Sequence, residues 1–324
     1  MLVSGGTGFV GSQLVHSLIA RGERVKALVR KTSEVTTLQM MGAELVVGDL
    51  QNLESLNLAM GGCDVVFHLA AAPDYAPEKV AWSINHLGAV NMLEAALKQK
   101  VQRFVHCSTV GVIGFADESP LTESTPYDPS PCSAYAQSKC EGEKMALAYY
   151  RKGLAVTVLR PSQIYGPRST GTMGLAFIQS RKGSLPLIEG GKALLQPIHV
   201  HDLTDALLLA GETDEAVGEV YNIAGDTILS LKELFTLIAD AYGVDPPKRN
   251  LSGRTLWALA YLMEMKNRIF GGSPPLITRF RVQCATKNMI YDISKAQEEL
   301  GFKPRIELKE GIRRTAEWYN NITL

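Results

Sequence analysis

A short apolar stretch, Leu2-Val3-Ser4, runs into glycines spaced Gly5-x-x-Gly8-x-x-Gly11 and then into a helix-period segment carrying Leu14, Val15, Leu18 and Ile19. This order of strand, glycine turn and helix constrains the chain more than any other feature. Gly5 permits a tight exit from the strand, Gly8 lets the backbone approach a pyrophosphate, and Gly11 lets the helix pack against the sheet. Thr7, Phe9 and Val10, between the glycines, border the same anion site, where unpaired N–H groups and the positive end of the helix dipole converge. An ordinary tight turn is the alternative. The second apolar strand, Val25 to Val29, supplies the context that a phosphate-binding turn requires.

Apolar strand-like runs alternate with helix-period segments through the first half. Strands are expected at Leu2–Ser4, Arg24–Val29, Glu44–Val47, Val65–Leu69, Arg103–Ser108 and Ala155–Arg160, and helices at 8–21, 35–41, 53–60, 79–99 and 133–151. Repeated β-then-α order with fully apolar strands predicts an α/β, Rossmann-type doubly wound parallel sheet covered on both faces. Beyond Pro161 the pattern turns irregular, with a strand at Val220–Ala224, a helix at Leu231–Tyr242 and a closing helix at Glu310–Tyr319. The expected division is a dinucleotide-binding domain over 1–165 and a smaller, mainly substrate-binding C-terminal lobe over 166–324, some of whose segments return to the sheet.

Lys plus Arg and Asp plus Glu number 33 each, which removes any net pull toward nucleic acid or anionic lipid. The five cysteines form no C-x-x-C pair, so reduced thiols and a cytoplasmic setting are expected. The chain opens almost directly on its first strand, leaving no room for a signal peptide. That strand is short, and whether residues precede Met1 is left open.

The second strand ends in Arg30-Lys31-Thr32-Ser33, without the acid that would bind ribose hydroxyls. Two cations and two hydroxyls there favour the 2′-phosphate of NADP over NAD, the alternative being a solvated loop. In Gly48-Asp49-Leu50, Asp49 either accepts from an adenine amino group or caps the next helix. Leu69, Ala70 and Ala71 are small and apolar after strand four, which suits either close approach of a ribose and nicotinamide or plain packing. Tyr135 and Lys139 stand at i and i+4, on one helix face. A phenol of pKa ~10 becomes an acid/base if a neighbouring ammonium lowers it. Ser108-Thr109 ends strand five, where a hydroxyl can bond a substrate carbonyl. His199 and His201 suggest a metal, but no third ligand follows at a suitable spacing, and Asp202 reads as the N-cap of a helix over Leu203–Ala210. No metal site is expected.

Taken together, these motifs resemble an extended short-chain dehydrogenase/reductase of the NAD-dependent epimerase/dehydratase family. The resemblance rests on Gly5 to Gly11, on Asn85-His86-Leu87-Gly88-Ala89-Val90-Asn91, on Ser108-Thr109 with Val112-Ile113-Gly114, on Tyr135 to Lys139, on Leu159 to Pro167, and on His199-Val200-His201-Asp202. It implies that Thr109, Tyr135 and Lys139 are the catalytic triad, that Asn85 supports the proton relay, and that Pro161 to Ile164 line the nicotinamide. It also implies a homodimer through the helices that carry Asn91 and Tyr135.

Nucleotide-sugar members have an Arg shortly before the His-Val-x-Asp motif that grips a substrate phosphate; here Gln196 stands at that position. The apolar run Leu256 to Met263, then Ser273-Pro274-Pro275-Leu276-Ile277, Tyr291 to Ala296 and Leu300-Gly301-Phe302, is similar to the tail of the 3β-hydroxysteroid dehydrogenase and dihydroflavonol reductase branch. The resemblance thus implies hydride transfer between NADP or NAD and an alcohol or ketone on a mainly apolar or polycyclic substrate. A nucleotide-sugar epimerase or dehydratase, and a non-catalytic NADP-binding sensor, are the alternatives. The run at 256–263 is too short to span a bilayer and is expected to be a core or substrate-cap helix, with peripheral membrane contact the minor alternative.

Overall fold

The computed structural model describes residues 1–117, 120–271, 275 and 277–322; Ser273, Pro274 and Leu276 of the expected apolar tail lie outside them. Six strands, β1 (Leu2–Ser4), β2 (Lys26–Val29), β3 (Glu44–Val47), β4 (Val65–His68), β5 (Arg103–Cys107) and β6 (Val156–Pro161), form one sheet with β11 (Val220–Ile223). Its order is β11-β6-β5-β4-β1-β2-β3, every pair parallel. Shorter pairs join β7 (Ile164–Tyr165) to β10 (Ile198–His199), β8 (Leu187–Ile188) to β13 (Asn250–Leu251), and β9 (Leu194–Leu195) to β12 (Leu229–Ser230).

Side chains alternate between the faces of a strand, so each strand supplies both cores. Val3, Phe67 and Val105 face α1 (Phe9–Ala20) and α8 (Val200–Glu212), while Leu2, Val66 and Phe104 face α3 (Leu53–Met60), α5 (Gly88–Lys98) and α6 (Ala134–Tyr150). Burying a side chain of this size stabilises the fold by roughly 1.5–3 kcal/mol. α2 (Thr36–Met41) links β2 to β3. The chain leaves β1 toward β2 and β3 and returns on the other side to β4, so a switch point opens between β1 and β4 at their carboxyl ends.

The helix expected over 79–99 is interrupted. α4 (Glu78–Ala81) passes into a π-helical turn, Trp82–Leu87, before α5, and the Gly88 N–H bonds the Ser83 carbonyl. Asn85 sits in this widened turn. Gly142 of α6 lies so close that a Cβ there would come within 2.4 Å of the Asn85 oxygen, so the turn and α6 touch backbone to backbone. Hydrophobic periodicity cannot register one extra residue in a turn, which is why a single helix is expected from the sequence.

The C-terminal part packs α7 (Gly171–Arg181), α9 (Leu231–Tyr242) and α13 (Leu308–Asn320) around Phe177, Ile238 and Tyr319. α7 is absent from the sequence reading because Gly171 and Gly174 weaken its pattern; Gly174 is needed where a Cβ would meet Tyr319 Oη at 2.7 Å. α10 (Gly253–Phe270), α11 (Arg279–Thr286) and α12 (Ser294–Glu299) complete the fold. α10 is longer than expected and is not a core helix, since only Gly253, Leu256 and Ala260 are buried. Helix α8 begins at Val200 with His199 as N-cap, so Asp202 is not the cap. Its carboxylate instead accepts from the Arg305 and Ile306 N–H groups at 2.9 and 3.3 Å, fastening the approach to α13. His199 and His201 therefore do not share a strand face: one ends β10 and the other opens α8.

Candidate active site

Gly5 leaves β1 at φ +75°, and a Cβ on it would meet Ala70 N at 2.7 Å. At Gly11 a Cβ would lie 2.1 Å from the Gly5 oxygen, so only glycine lets α1 start this close to the strand. Gly8 caps α1 without a side-chain bond, and the first turn carries no acid. The helix therefore presents unsatisfied N–H groups and positive potential to an anion. A crevice of about 520 Å³ opens there, at the switch point between β1 and β4.

Of the residues expected to hold the cofactor, Gly5, Thr7, Gly8, Arg30, Asp49, Leu50, Leu69, Ala70 and Ala71 line this crevice. Phe9, Val10 and Gly11 lie in the first turn of α1 behind it. Lys31 is exposed and does not line it, so of the two cations only Arg30 does. Asp49 is not a helix cap. Asn52 caps α3 by accepting from Ser55 N at 3.0 Å, and Asp49 accepts from Gln51 N at 2.9 Å in the crevice wall. Ser33, one of the two hydroxyls expected beside the 2′-phosphate, lines the space as well, and so do Lys79 and Ser83, which the sequence alone does not single out. The latter two come from α4 and the π-turn, whose swing over the crevice no local pattern encodes. The glycine cradle, the bare helix terminus and Arg30 fit a dinucleotide phosphate on their own chemistry.

The reacting groups gather where β5 ends. Ser133 caps α6, its Oγ accepting from Ala136 N at 3.1 Å, which places Tyr135 and Lys139 on the first turns. Lys139 is buried, and its ammonium donates to the Cys107 carbonyl at the end of β5; burial pulls its pKa below the usual value. Tyr135 is partly exposed, yet desolvation dominates and raises its phenol above the ordinary range. Cys107 and Asp74 push the same way, and hydrogen bonding with Thr109 opposes them. The Lys139 ammonium is turned to the strand end, and the lowering of this phenol is expected of it together with an oxidised nicotinamide.

Ser108 and Thr109 have different surroundings. The Ser108 hydroxyl donates to Glu143, a carboxylate with no exposure that also takes Arg160 Nη2 at 2.6 Å, Arg160 Nε at 2.9 Å and the Tyr127 hydroxyl at 2.9 Å. Its side chain is committed to that buried cluster. Thr109 accepts from Gly111 N at 3.2 Å and neighbours Tyr135. Asn85 bridges two walls, accepting from Ala72 N at 2.8 Å and donating to Ser138 Oγ at 3.0 Å, and Ser138 donates to the Tyr135 carbonyl at 3.0 Å. Pro161 closes β6 and Ile164 lies in β7, paired with Ile198. Gln196 is buried as a brace, donating to the Gly225 carbonyl at 2.7 Å and accepting from Tyr291 N at 3.0 Å.

A doubly wound parallel sheet with a glycine cradle at its switch point, and a Tyr and Lys on one helix beside it, defines a dinucleotide-binding α/β protein. The sequence profile of the NAD dependent epimerase/dehydratase family matches residues 1–224, and the chain belongs to that family. It is 31% identical over 317 residues to the 4-hydroxy-2-methyl-3-oxo-4-farnesyl-3,4-dihydroquinoline-1-oxide ketoreductase of Stigmatella aurantiaca, covering 96% of this chain and 93% of that one. It is 27% identical to the 3beta-hydroxysteroid-dehydrogenase/decarboxylase isoform 1 of Arabidopsis thaliana, covering 99% and 80%. Among solved structures it is similar to the dTDP-glucose 4,6-dehydratase DesIV of Streptomyces venezuelae with NAD and TYD bound, at TM-score 0.81 and 28% identity, covering 98% and 96%. The chain is thus an oxidoreductase of the extended short-chain dehydrogenase/reductase type.

Proposed function

We propose that this chain uses NADP, with NAD as a weaker substitute, to interconvert an alcohol and a ketone on a mainly apolar, polycyclic substrate. What supports the reading is Tyr135 next to Thr109, with Lys139 on the Cys107 carbonyl, at the carboxyl end of β5, two strands from the glycine turn that follows β1. Residues 1–165 would carry the dinucleotide and 166–324 mainly the substrate. When bound, the reduced nicotinamide supplies the hydride. In the direction of reduction, Tyr135, whose raised pKa keeps the phenol protonated, donates the proton to the carbonyl oxygen, and Thr109 fixes that oxygen by a second hydrogen bond. Lys139 would hold the nicotinamide ribose, and Asn85 would anchor the path by which Tyr135 is reprotonated. Pro161 and Ile164 would flank the nicotinamide, and the backbone at Ser108 would border it.

Two observations bear on the substrate. Gln196 is neutral and fully engaged, so it offers no charge to a nucleotide-sugar diphosphate. The ketoreductase and hydroxysteroid dehydrogenase relatives bear the names of apolar ring substrates. Assay with NADPH and polycyclic ketones, beside UDP-glucose, tests the choice. Coenzyme consumption with the ketones is expected, and sugar inversion with retained coenzyme would favour the epimerase reading instead. A homodimer through α5 and α6 is part of the proposal; Leu87 and Tyr150 are exposed beside these helices.

Arg30 is expected to bear the coenzyme choice. Arg30→Ala should weaken NADPH binding by about ten- to a hundredfold, the worth of a charge-assisted bond, while NADH binding changes little. Fluorescence titration of both coenzymes reads this, and an equal loss for the two would show that Arg30 does not recognise the 2′-phosphate.

A further inference from the structure

Helix α10 leaves a face uncovered that neither the sheet nor the lobe explains. Its packed side is short: Leu256 and Ala260 meet Val282, with Ile188 and Leu251 against them. Opposite that side lie Leu262 and Ile269, 64% and 65% exposed, and on its flank Leu259 and, at the end, Phe270 are 43% and 77% exposed. Three cations, Arg254, Lys266 and Arg268, are exposed on the same helix, and none belongs to an ion pair among the described residues. The sole acid of the helix, Glu264, is partly buried and bound to Arg279 at 2.7 Å. The solvent side therefore combines large apolar side chains with positive charge and no negative charge.

We infer that α10 is an interfacial helix that lies on an anionic lipid surface, its leucines, Ile269 and Phe270 entering the headgroup boundary while Arg254, Lys266 and Arg268 meet lipid phosphates. The helix is not apolar enough to cross a bilayer, and no helix of the described residues is. An apolar stripe flanked by cations instead suits lying in the interface plane. A second copy fits poorly. A two-fold contact sets the same patch against itself, which would bring three cations against three with no acid between them. A role in covering the substrate is also disfavoured, because Leu262 and Ile269, among the most exposed of these residues, point away from the side that packs on the lobe. The inference does not depend on the proposed reaction.

The test is co-sedimentation of the full chain with phosphatidylcholine vesicles and with vesicles that also contain phosphatidylglycerol. Three cations near an anionic surface should raise the partition coefficient about a hundredfold on the anionic vesicles, and added salt should erode the gain. The double variant Leu262→Glu/Ile269→Glu should lose binding, and the triple variant Arg254→Gln/Lys266→Gln/Arg268→Gln should lose the preference for anionic lipid. Both should keep the wild-type circular dichroism and coenzyme affinity. Equal binding to the two vesicle types, no binding to either, or variants that bind as the wild type would overturn the inference. So would sedimentation equilibrium showing a dimer that Leu262→Glu/Ile269→Glu dissociates, since that would assign the face to a second copy.

Discussion

Tyr135→Phe should lower kcat for ketone reduction by about a hundred- to ten-thousandfold and leave the Kd for NADPH nearly unchanged. The substitution removes one hydroxyl and keeps the ring, so the first turn of α6, capped by Ser133, stays in place. Burial, Cys107 and Asp74 all hold the phenol protonated in the neutral range, so its proton is present to be given and its loss cannot be replaced by pH. Thr109 and the glycine cradle would still bind substrate and coenzyme, which confines the loss to the chemical step. A variant within tenfold of wild-type turnover would remove Tyr135 from the role of proton donor.

Acid should destabilise the fold steeply below neutral pH. His68 and His106 are register partners on β4 and β5, their rings 5.5 Å apart, and both are fully buried; His199 is buried at the start of α8. Burial, the largest cause in each, pushes His68 and His199 down to about 3 and His106 well below its usual value, with Lys139 adding repulsion at His68 and His106 and with His201 and Arg314 adding it at His199. The unfolded chain titrates near ~6.5. Between that value and about 3 the unfolded chain binds protons that the folded one does not. The stability is thus whole above the unfolded pKa and declines as pH falls, by about 1.4 kcal/mol per unit for each histidine. From pH 7 to pH 5 His68 and His199 each contribute a loss of roughly 2 kcal/mol, together about 4 against the 5–15 kcal/mol that holds a typical domain, and His106 adds to the loss in the same sense. Asp202, whose carboxyl burial raises, acts in the opposite sense. Urea unfolding at the two pH values measures the loss, and His106→Phe should reduce it. Equal unfolding free energies at both would contradict the assignment of neutral, buried rings.

The sheet and the glycine cradle were legible because their constraints are local: apolar runs of strand length, glycines at fixed offsets, and a Tyr and Lys one helical turn apart. The same holds for Arg30, placed at the crevice by the end of β2 alone. What could not be read depends on partners distant in sequence. The π-turn at Trp82–Leu87 arises where Gly142 meets the Asn85 backbone. The commitment of Ser108 to Glu143 and the bracing of Gln196 are set by residues 35 and 95 positions away. Asp202 looks like a cap in sequence because it precedes an apolar helical run, but the helix starts earlier and the carboxylate serves Arg305 and Ile306. Composition misled on α10 as well: eight consecutive residues with no charge suggest a core, yet most of that face meets solvent.

The central claim is that a dinucleotide lies across the β1 and β4 strand ends with its reactive ring toward one phenol. A crystal structure of the chain grown with NADP measures this most directly. The account predicts the pyrophosphate on the N–H groups of Gly8 to Val10, the 2′-phosphate at Arg30, and the nicotinamide facing Tyr135 with its ribose on Lys139. A coenzyme seated elsewhere, or a nicotinamide turned away from the Tyr135 hydroxyl, would contradict it.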